Sequence, residues 1–309
     1  MKTNIKHILL LLLIPFVLTS CTDVIDMQGP DGAIRLVVDA VITNEPGAEQ
    51  VVTLSKSQNY FNNSAVTYVK GASVTITDSD GKIFELKDLT NTGNYVWKPA
   101  NAQQALGVIG KTYTLQITSE GETYKSVSEL RNVPKIDSVQ YQYTDKARPG
   151  QSTSDGKLTK GYDVEFFAKD LKGLGDCYRI KAYRNGKYVT PNQSVTVAYD
   201  AALQKTTGAD NVPFYLPVRF SISPELYAEK DTVRVELYSI SEGNYDFWTR
   251  FRTELNNAGL FATPPTHIPT NITNVNSSST KEAIGWFTTS AVSKMQVIID
   301  AKNAKTNLR

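Results

Sequence analysis

A hydrolytic or group-transfer enzyme needs a nucleophile, a base and a group that orients the base, and this sequence offers few of those parts. Past its first twenty residues it has a single histidine, His267, inside the proline-rich run Pro264-Pro265-Thr266-His267-Ile268-Pro269-Thr270-Asn271. Its cysteines are Cys21 and Cys177, the latter heading the strand-like run Cys177-Tyr178-Arg179-Ile180-Lys181-Ala182-Tyr183. A reactive thiol needs a neighbouring base, so Cys177 is expected to be a small packed side chain. No glycine pattern of a nucleophile elbow is present. Zinc usually takes several Cys or His ligands, which excludes a metal centre of that type. Asp78-Ser79-Asp80-Gly81 has calcium-loop character, but β-branched runs flank it instead of helices, and a hairpin turn is expected. Gly173-Leu174-Gly175 lacks the Lys-Ser/Thr ending of a phosphate loop and reads as a turn. Acidic residues are scattered along strands and turns, with no pair set apart for glycoside hydrolysis. The expectation is a protein that is not an enzyme and carries no cofactor and no metal.

Binding is the more suggestive chemistry. Tyr60 and Phe61 lie in the polar run Gln58-Asn59-Tyr60-Phe61-Asn62-Asn63, where no strand face requires them. Rings beside amides such as Asn62 suit sugars or peptides; the competing reading folds the rings over the end of a sandwich. The second candidate stretch is Pro264 to Asn271, where His267 and Asn271 sit on a backbone stiffened by prolines. The ligand-binding candidates are therefore Tyr60, Phe61, Asn62, His267 and Asn271. Trp97, Trp248 and Trp286 fall in strand or helix patterns and are expected in the core.

The N-terminus predicts a location. Lys2 and Lys6 precede the apolar run Ile8 to Leu18, which Pro15 interrupts and which is too short to span a bilayer. This is the layout of a secretory signal. Its end, Leu18-Thr19-Ser20-Cys21, resembles the lipobox of bacterial lipoproteins, in which the cysteine is acylated and the peptide is cut before it. Residues 1–20 are thus expected as signal peptide and 21–33 as a tether lipidated at Cys21, with several acyl chains giving stable anchoring. Lipid on Cys21 leaves Cys177 without a disulfide partner. Of 33 basic residues, Lys2 and Lys6 leave with the signal, so 31 remain against 31 acidic ones. Such a neutral chain has no broad electrostatic reason to bind nucleic acid.

The elements that must position these residues are mostly strands. Leu36, Val38, Ala40 and Ile42 alternate with Arg35, Val37, Asp39 and Val41. Hairpins are expected around Asp78 to Gly81, around Ser119-Glu120-Gly121 and at Asn185-Gly186, the last because both residues tolerate positive φ. Further strands are expected at Val218 to Ile222, Thr232 to Tyr238, Gly285 to Phe287 and Met295 to Ile299, with a frayed tail from Lys302. Phe247, Trp248, Phe251 and Leu255 carry helical spacing, capped by Ser241 or Asn244 and stopped by Gly259. The predicted class is all-β: two β-sandwich (Ig-like) domains, at 34–131 and 137–301, with one helix near 244–258 in the second.

Two short motifs and one family resemblance complete the reading. Asp137-Ser138-Val139 and Asp231-Thr232-Val233 resemble the O-glycosylation sequon of exported Bacteroidetes proteins, with Ser138 and Thr232 as acceptors. After the lipobox come Arg35 to Ala40, Ile42-Thr43-Asn44-Glu45-Pro46-Gly47, Gly71 to Asp78, Gly110 to Leu115, Val133 to Ser138, Val235 to Ile240, Tyr245-Asp246-Phe247-Trp248 and Gly285-Trp286-Phe287. Together these resemble an uncharacterised family of Bacteroidetes outer-membrane lipoproteins, a domain of unknown function whose members are typically encoded beside TonB-dependent receptors. The resemblance implies a lipid-anchored protein of the outer membrane and cell surface, acting as accessory or ligand-capture partner of a TonB-dependent transporter. A surface adhesin or structural lipoprotein is the alternative.

Overall fold

Alternation along the first strand sets the plan of the molecule. In β1 (Leu36–Thr43), Val38, Ala40 and Ile42 are buried in a hydrophobic core, while Val37, Asp39 and Val41 point to the opposite face. A computed structural model describes residues 32–59, 64–154, 156–189, 195–257, 263–264 and 266–308. Cys21, Tyr60, Phe61, Asn62 and Gly259 lie outside the described residues. Ile34–Arg309 forms one compact unit with two large cores and two small buried clusters among the described residues.

The strands following β1 are β2 (Gln50–Lys56), β3 (Ser73–Asp78), β4 (Ile83–Leu86), β5 (Asn94–Trp97), β6 (Thr112–Ser119), β7 (Glu122–Glu129), β8 (Ile136–Thr144), β9 (Gly161–Ala168), β10 (Cys177–Arg184), β11 (Lys187–Tyr188), β12 (Thr196–Tyr199) and β13 (Thr232–Ile240). Then come the helix α1 (Glu242–Leu255) and the strands β14 (Thr273–Asn274), β15 (Ala283–Ser290) and β16 (Val292–Ile298). The chain is predominantly β, as the alternation predicts, and its sheets face each other as sandwiches.

The first sandwich faces the sheet β15-β1-β2-β5 with the sheet β14-β7-β6-β3-β4. Ile42, Leu54, Ile76, Leu115 and Phe287 are all buried between them. The Asp78 to Gly81 segment is a hairpin turn: Asp78 Oδ1 accepts from the backbone N–H of Asp80 and Lys82 at 3.0 and 2.9 Å. Lys111 Nζ sits 2.9 Å from Asp78 and 2.7 Å from Asp80, so both carboxylates already have a cation. At the β6–β7 turn Glu120 and Gly121 both have positive φ, 51° and 80°. Asn185 and Gly186 do the same between β10 and β11, at 51° and 79°.

The second core lies between the β8–β9 hairpin and the sheet β11-β10-β13-β16, with β12 also on β10. In β9 both faces are covered. Tyr162, Val164, Phe166 and Ala168 face the core, while Asp163 and Glu165 are buried on the other side. Arg148 forks onto Asp163 at 2.6 and 2.5 Å, and Arg219 meets Glu165 at 3.1 Å. The covering chain also bonds along β9: Phe166 N–H donates to Arg219 O at 3.1 Å, and Tyr162 and Tyr227 exchange bonds of 2.8 and 2.9 Å. Val218 to Ile222, expected as a strand, is a series of turns in this cover. Its alternation reflects the burial of Val218 and Ile222 beneath the loop and not a ladder.

Three expectations need correction. The second sandwich does not hold everything from 137 to 301. β14 pairs with β7, and β15 pairs in parallel with β1 from Leu36↔Ala283 to Thr43↔Ser290, so Ile272, Ala283, Phe287 and Ala291 belong to the first core. The reason is that β1 has β2 on one side only. Its other edge is filled by a parallel strand, which must arrive by a long connection, here the entire second core. The boundary near 131–137 marks a crossing, with Val133 packed against both cores. The tail is not frayed either: Lys305 N–H donates to Tyr141 O at 2.8 Å, and Leu308 N–H to Gln142 Oε1 at 3.0 Å. The helix lies at Glu242–Leu255, starting two residues and ending three residues earlier than expected, and Ser241 caps it, its Oγ accepting from Asn244 N–H at 3.2 Å.

Candidate ligand-binding cleft

The outer face of the β1–β15 pair floors a cleft. The parallel register places Val37 beside Ile284, Asp39 beside Trp286, and Val41 beside Thr288, all on the face turned from the first core. Gly285, at φ 99°, makes this close packing possible on the side of Val38. One wall is α1, whose Phe247, Trp248 and Phe251 project over the floor. The other is the segment Thr266-His267-Ile268-Pro269. The enclosed space is about 490 Å³, the size of a small-molecule site.

Aromatic rings dominate the lining. Phe247 lies 5.4 Å from Trp286, 5.9 Å from Phe251 in a stacked arrangement and 5.1 Å from Trp248, centroid to centroid. The Arg179 guanidinium sits 3.7 Å from the centre of the Trp248 ring and steadies it from the side of β10. Gly243 lets the start of α1 approach the indole: a Cβ there would lie 3.1 Å from Trp286 Cη2. The segment forming the second wall is laced to the outer edge of β15. Thr270 Oγ1 donates to Gly285 O at 2.9 Å, Asn271 Nδ2 donates to Phe287 O at 2.7 Å, and Phe287 N–H donates back to Asn271 Oδ1 at 2.9 Å.

Where α1 meets β15, three polar atoms of cleft-lining residues are buried without a hydrogen-bond partner among the described residues, Asn244 Oδ1, Thr288 Oγ1 and Trp286 Nε1; Ser290 Oγ, further along β15 and outside the lining, is in the same state. Asn244 is 1% exposed and Thr288 6%. A buried polar group left unpaired costs roughly 1–3 kcal/mol, so three together call for a reason.

The charges around the cleft are few. Arg35 pairs with Glu282 at 3.1 Å, and Asp39 is exposed on the floor. Behind it, Lys181 lies half-buried over the Tyr238 ring at 4.4 Å; burial, with Arg179 beside it, pushes its amine down to about 8. Burial likewise lowers the Arg179 guanidinium.

Of the residues singled out from the sequence, His267 is exposed and lines this cleft. Asn271 does not line it; both ends of its amide are bonded to the Phe287 backbone, so it holds the wall in place. Ser138 and Thr232 are half-buried near the starts of β8 and β13, with Ser138 Oγ accepting from Gln140 Nε2 at 3.0 Å. Cys177 is buried with Val195, Val197, Ile240 and Tyr245, and burial pushes its thiol up to about 12. That excludes a thiolate nucleophile at neutral pH.

Trp248 and Trp286, expected in a core, are only half-buried and face the cleft. With Asn244, Phe247, Phe251 and Thr288 they are the residues the sequence reading missed. One signal was present. Tyr245 packs with Cys177 and Val197, Phe247 and Phe251 line the cleft, and Trp248 touches both groups. A helix with aromatics on two sides has more than one surface to cover.

A family model described as "Domain of unknown function (DUF4249)" matches residues 22–296. The chain belongs to this family. No curated protein matches it. Among solved structures it is similar to a two fibronectin type-III domain segment from chicken tenascin, at 10% identity and a TM-score of 0.19, over 68% of this chain and 90% of that one. The sandwich assignment rests on the sheets themselves. Among the described residues no helix is long and apolar enough to cross a membrane, and no group of acidic, His and Cys side chains is placed to hold a metal ion.

Proposed function

We propose that this member of the family is a lipid-anchored binding protein that captures a small ligand in the aromatic cleft and serves a TonB-dependent transporter of the outer membrane. The single observation that carries the binding half is the cleft itself: about 490 Å³, walled by Phe247, Phe251 and Trp286, with Asn244 and Thr288 at its inner end. Its floor joins distant segments of the chain through the ladder of β1 with β15, and one wall is held by the Asn271 strap. Such pre-organisation lowers the entropy lost on binding. Among the described residues that line it, His267 stands on the exposed rim and Thr266 is tied to the Glu254 carboxylate, while Cys177 lies elsewhere in a separate buried cluster. The membrane half rests on the Leu18 to Cys21 motif and on the family resemblance read from the sequence. The test is purification from native membranes without crosslinking, followed by native mass spectrometry. A bound small molecule that Phe251→Ala loses, with a co-purifying outer-membrane barrel, is the expected result. Recovery of neither removes this reading, and binding to matrix polymers in their place favours the adhesin.

A further inference from the structure

The polar end of the cleft narrows the class of ligand. Asn244 Oδ1 can only accept a hydrogen bond, Trp286 Nε1 can only donate one, and Thr288 Oγ1 can do either. All three are buried and without a partner among the described residues. Their residues are also neighbours in the fold. Thr288 follows Trp286 by two positions on the same face of β15, and Gly243, next to Asn244, touches the Trp286 indole. The rest of the lining is mainly apolar and aromatic. A sugar, which presents hydroxyls all round, would leave most of them unpaired in such a site. A saturated chain would fill the volume but leave the three polar atoms as they are.

Resting on the binding reading above, we propose that the ligand is a planar aromatic molecule bearing a group that both donates and accepts hydrogen bonds, such as a phenolic hydroxyl. Its ring lies among Phe247, Phe251 and Trp286, and its polar edge meets Asn244, Thr288 and the Trp286 N–H. This gives each of the three polar atoms a partner. A competing partner exists: Asn244 and Thr288 also border a space of about 10 Å³ beneath the cleft, room for one water. A water there would satisfy both atoms with no bearing on the ligand.

The experiment compares 1-naphthol with naphthalene, which has the same rings and no hydroxyl, by equilibrium dialysis. The protein is the full mature chain carrying Cys21→Ser, so that neither acyl chains nor detergent compete for the probe. All described core residues lie between Val38 and Ile299, so this change leaves them untouched. The expected result is 1-naphthol binding at least about fivefold tighter than naphthalene, the gap closing in Thr288→Val. Thr288→Val should also unfold at the same temperature or higher, because it removes an unpaired hydroxyl; a residue with a purely structural role would show the reverse. Phe251→Ala should weaken both probes. Equal binding of the two probes, or a gap that Thr288→Val leaves open, overturns the ligand class while the cleft stands as a site. No binding of either probe overturns the ligand class too, and it reaches the cleft reading itself when native membranes also yield no carried molecule.

Discussion

Gly285 and Val38 are in register across the β15–β1 ladder, and a Cβ on Gly285 would fall 2.0 Å from the Val38 carbonyl oxygen. With φ at 99°, the position is closed to other residues twice over, by backbone conformation and by space. The ladder joins the first strand of the described fold to its last long excursion, and the cleft floor is its outer face. Gly285→Ala is therefore expected to destabilise the protein by on the order of 3–5 kcal/mol, read as a lowered denaturant midpoint. An unchanged midpoint would mean the two strands are not in this register.

Gly243→Ala separates the cleft from the fold. Alanine is the better helix former by roughly 0.5–1 kcal/mol, but its Cβ would press on Trp286 at 3.1 Å. Global stability should stay within about 1 kcal/mol of the parent, while tryptophan emission and its quenching by acrylamide change as the indole is displaced. Altered stability with unaltered emission would contradict the contact.

Lys181 gives the stability a pH dependence of known sign. Its amine is held at about 8 in the folded chain, below its value in an unfolded one, so folding disfavours its charged form. Between about pH 8 and 10 the unfolded state binds more protons here, and this residue's contribution to stability rises with pH. Cys177, raised to about 12, works in the opposite direction above roughly pH 8.5. The difference between the parent and Lys181→Met isolates the lysine: the variant should be more stable by on the order of 1–3 kcal/mol at pH 7, the advantage vanishing near pH 10. A gap independent of pH would show that the amine is not desolvated.

The Arg148–Asp163 fork predicts a large effect far from the cleft. Arg148→Met leaves the Asp163 carboxylate, 2% exposed, without its guanidinium under the cover of β9. A loss of about 3–5 kcal/mol is expected by thermal or chemical unfolding at pH 7. Asp163→Asn in the same background should restore part of it, since the charge that lost its partner is then gone. No restoration would place the cost in packing over Phe220, which Arg148 covers at 4.1 Å.

Most of the strands, the three hairpins and the helix were legible in the residue order because each is set by contacts within a few positions. Alternation decides which side of β1 is apolar, and Asn185-Gly186 decides a turn through the φ values that those two residues accept. The motif ending at Cys21 is local in the same way. His267 could be singled out as a binding candidate because a proline-rich stretch advertises a stiff loop, whatever that loop stands beside.

What only the tertiary structure decided is which distant segments share a surface. Nothing near Leu36 announces that its neighbour is Ala283, because a parallel edge is filled from across the whole second core and leaves no local trace. Trp248 and Trp286 followed from that pairing: each reads as a core residue in its own element, and each became cleft lining when α1 settled on β15. Asn271 changed meaning for the same reason, from a free amide on a loop to a strap on Phe287. Periodicity reports how a side chain faces its own backbone. Which other backbone it then meets depends on the closing of long loops, and that free energy is shared among all the residues of both cores.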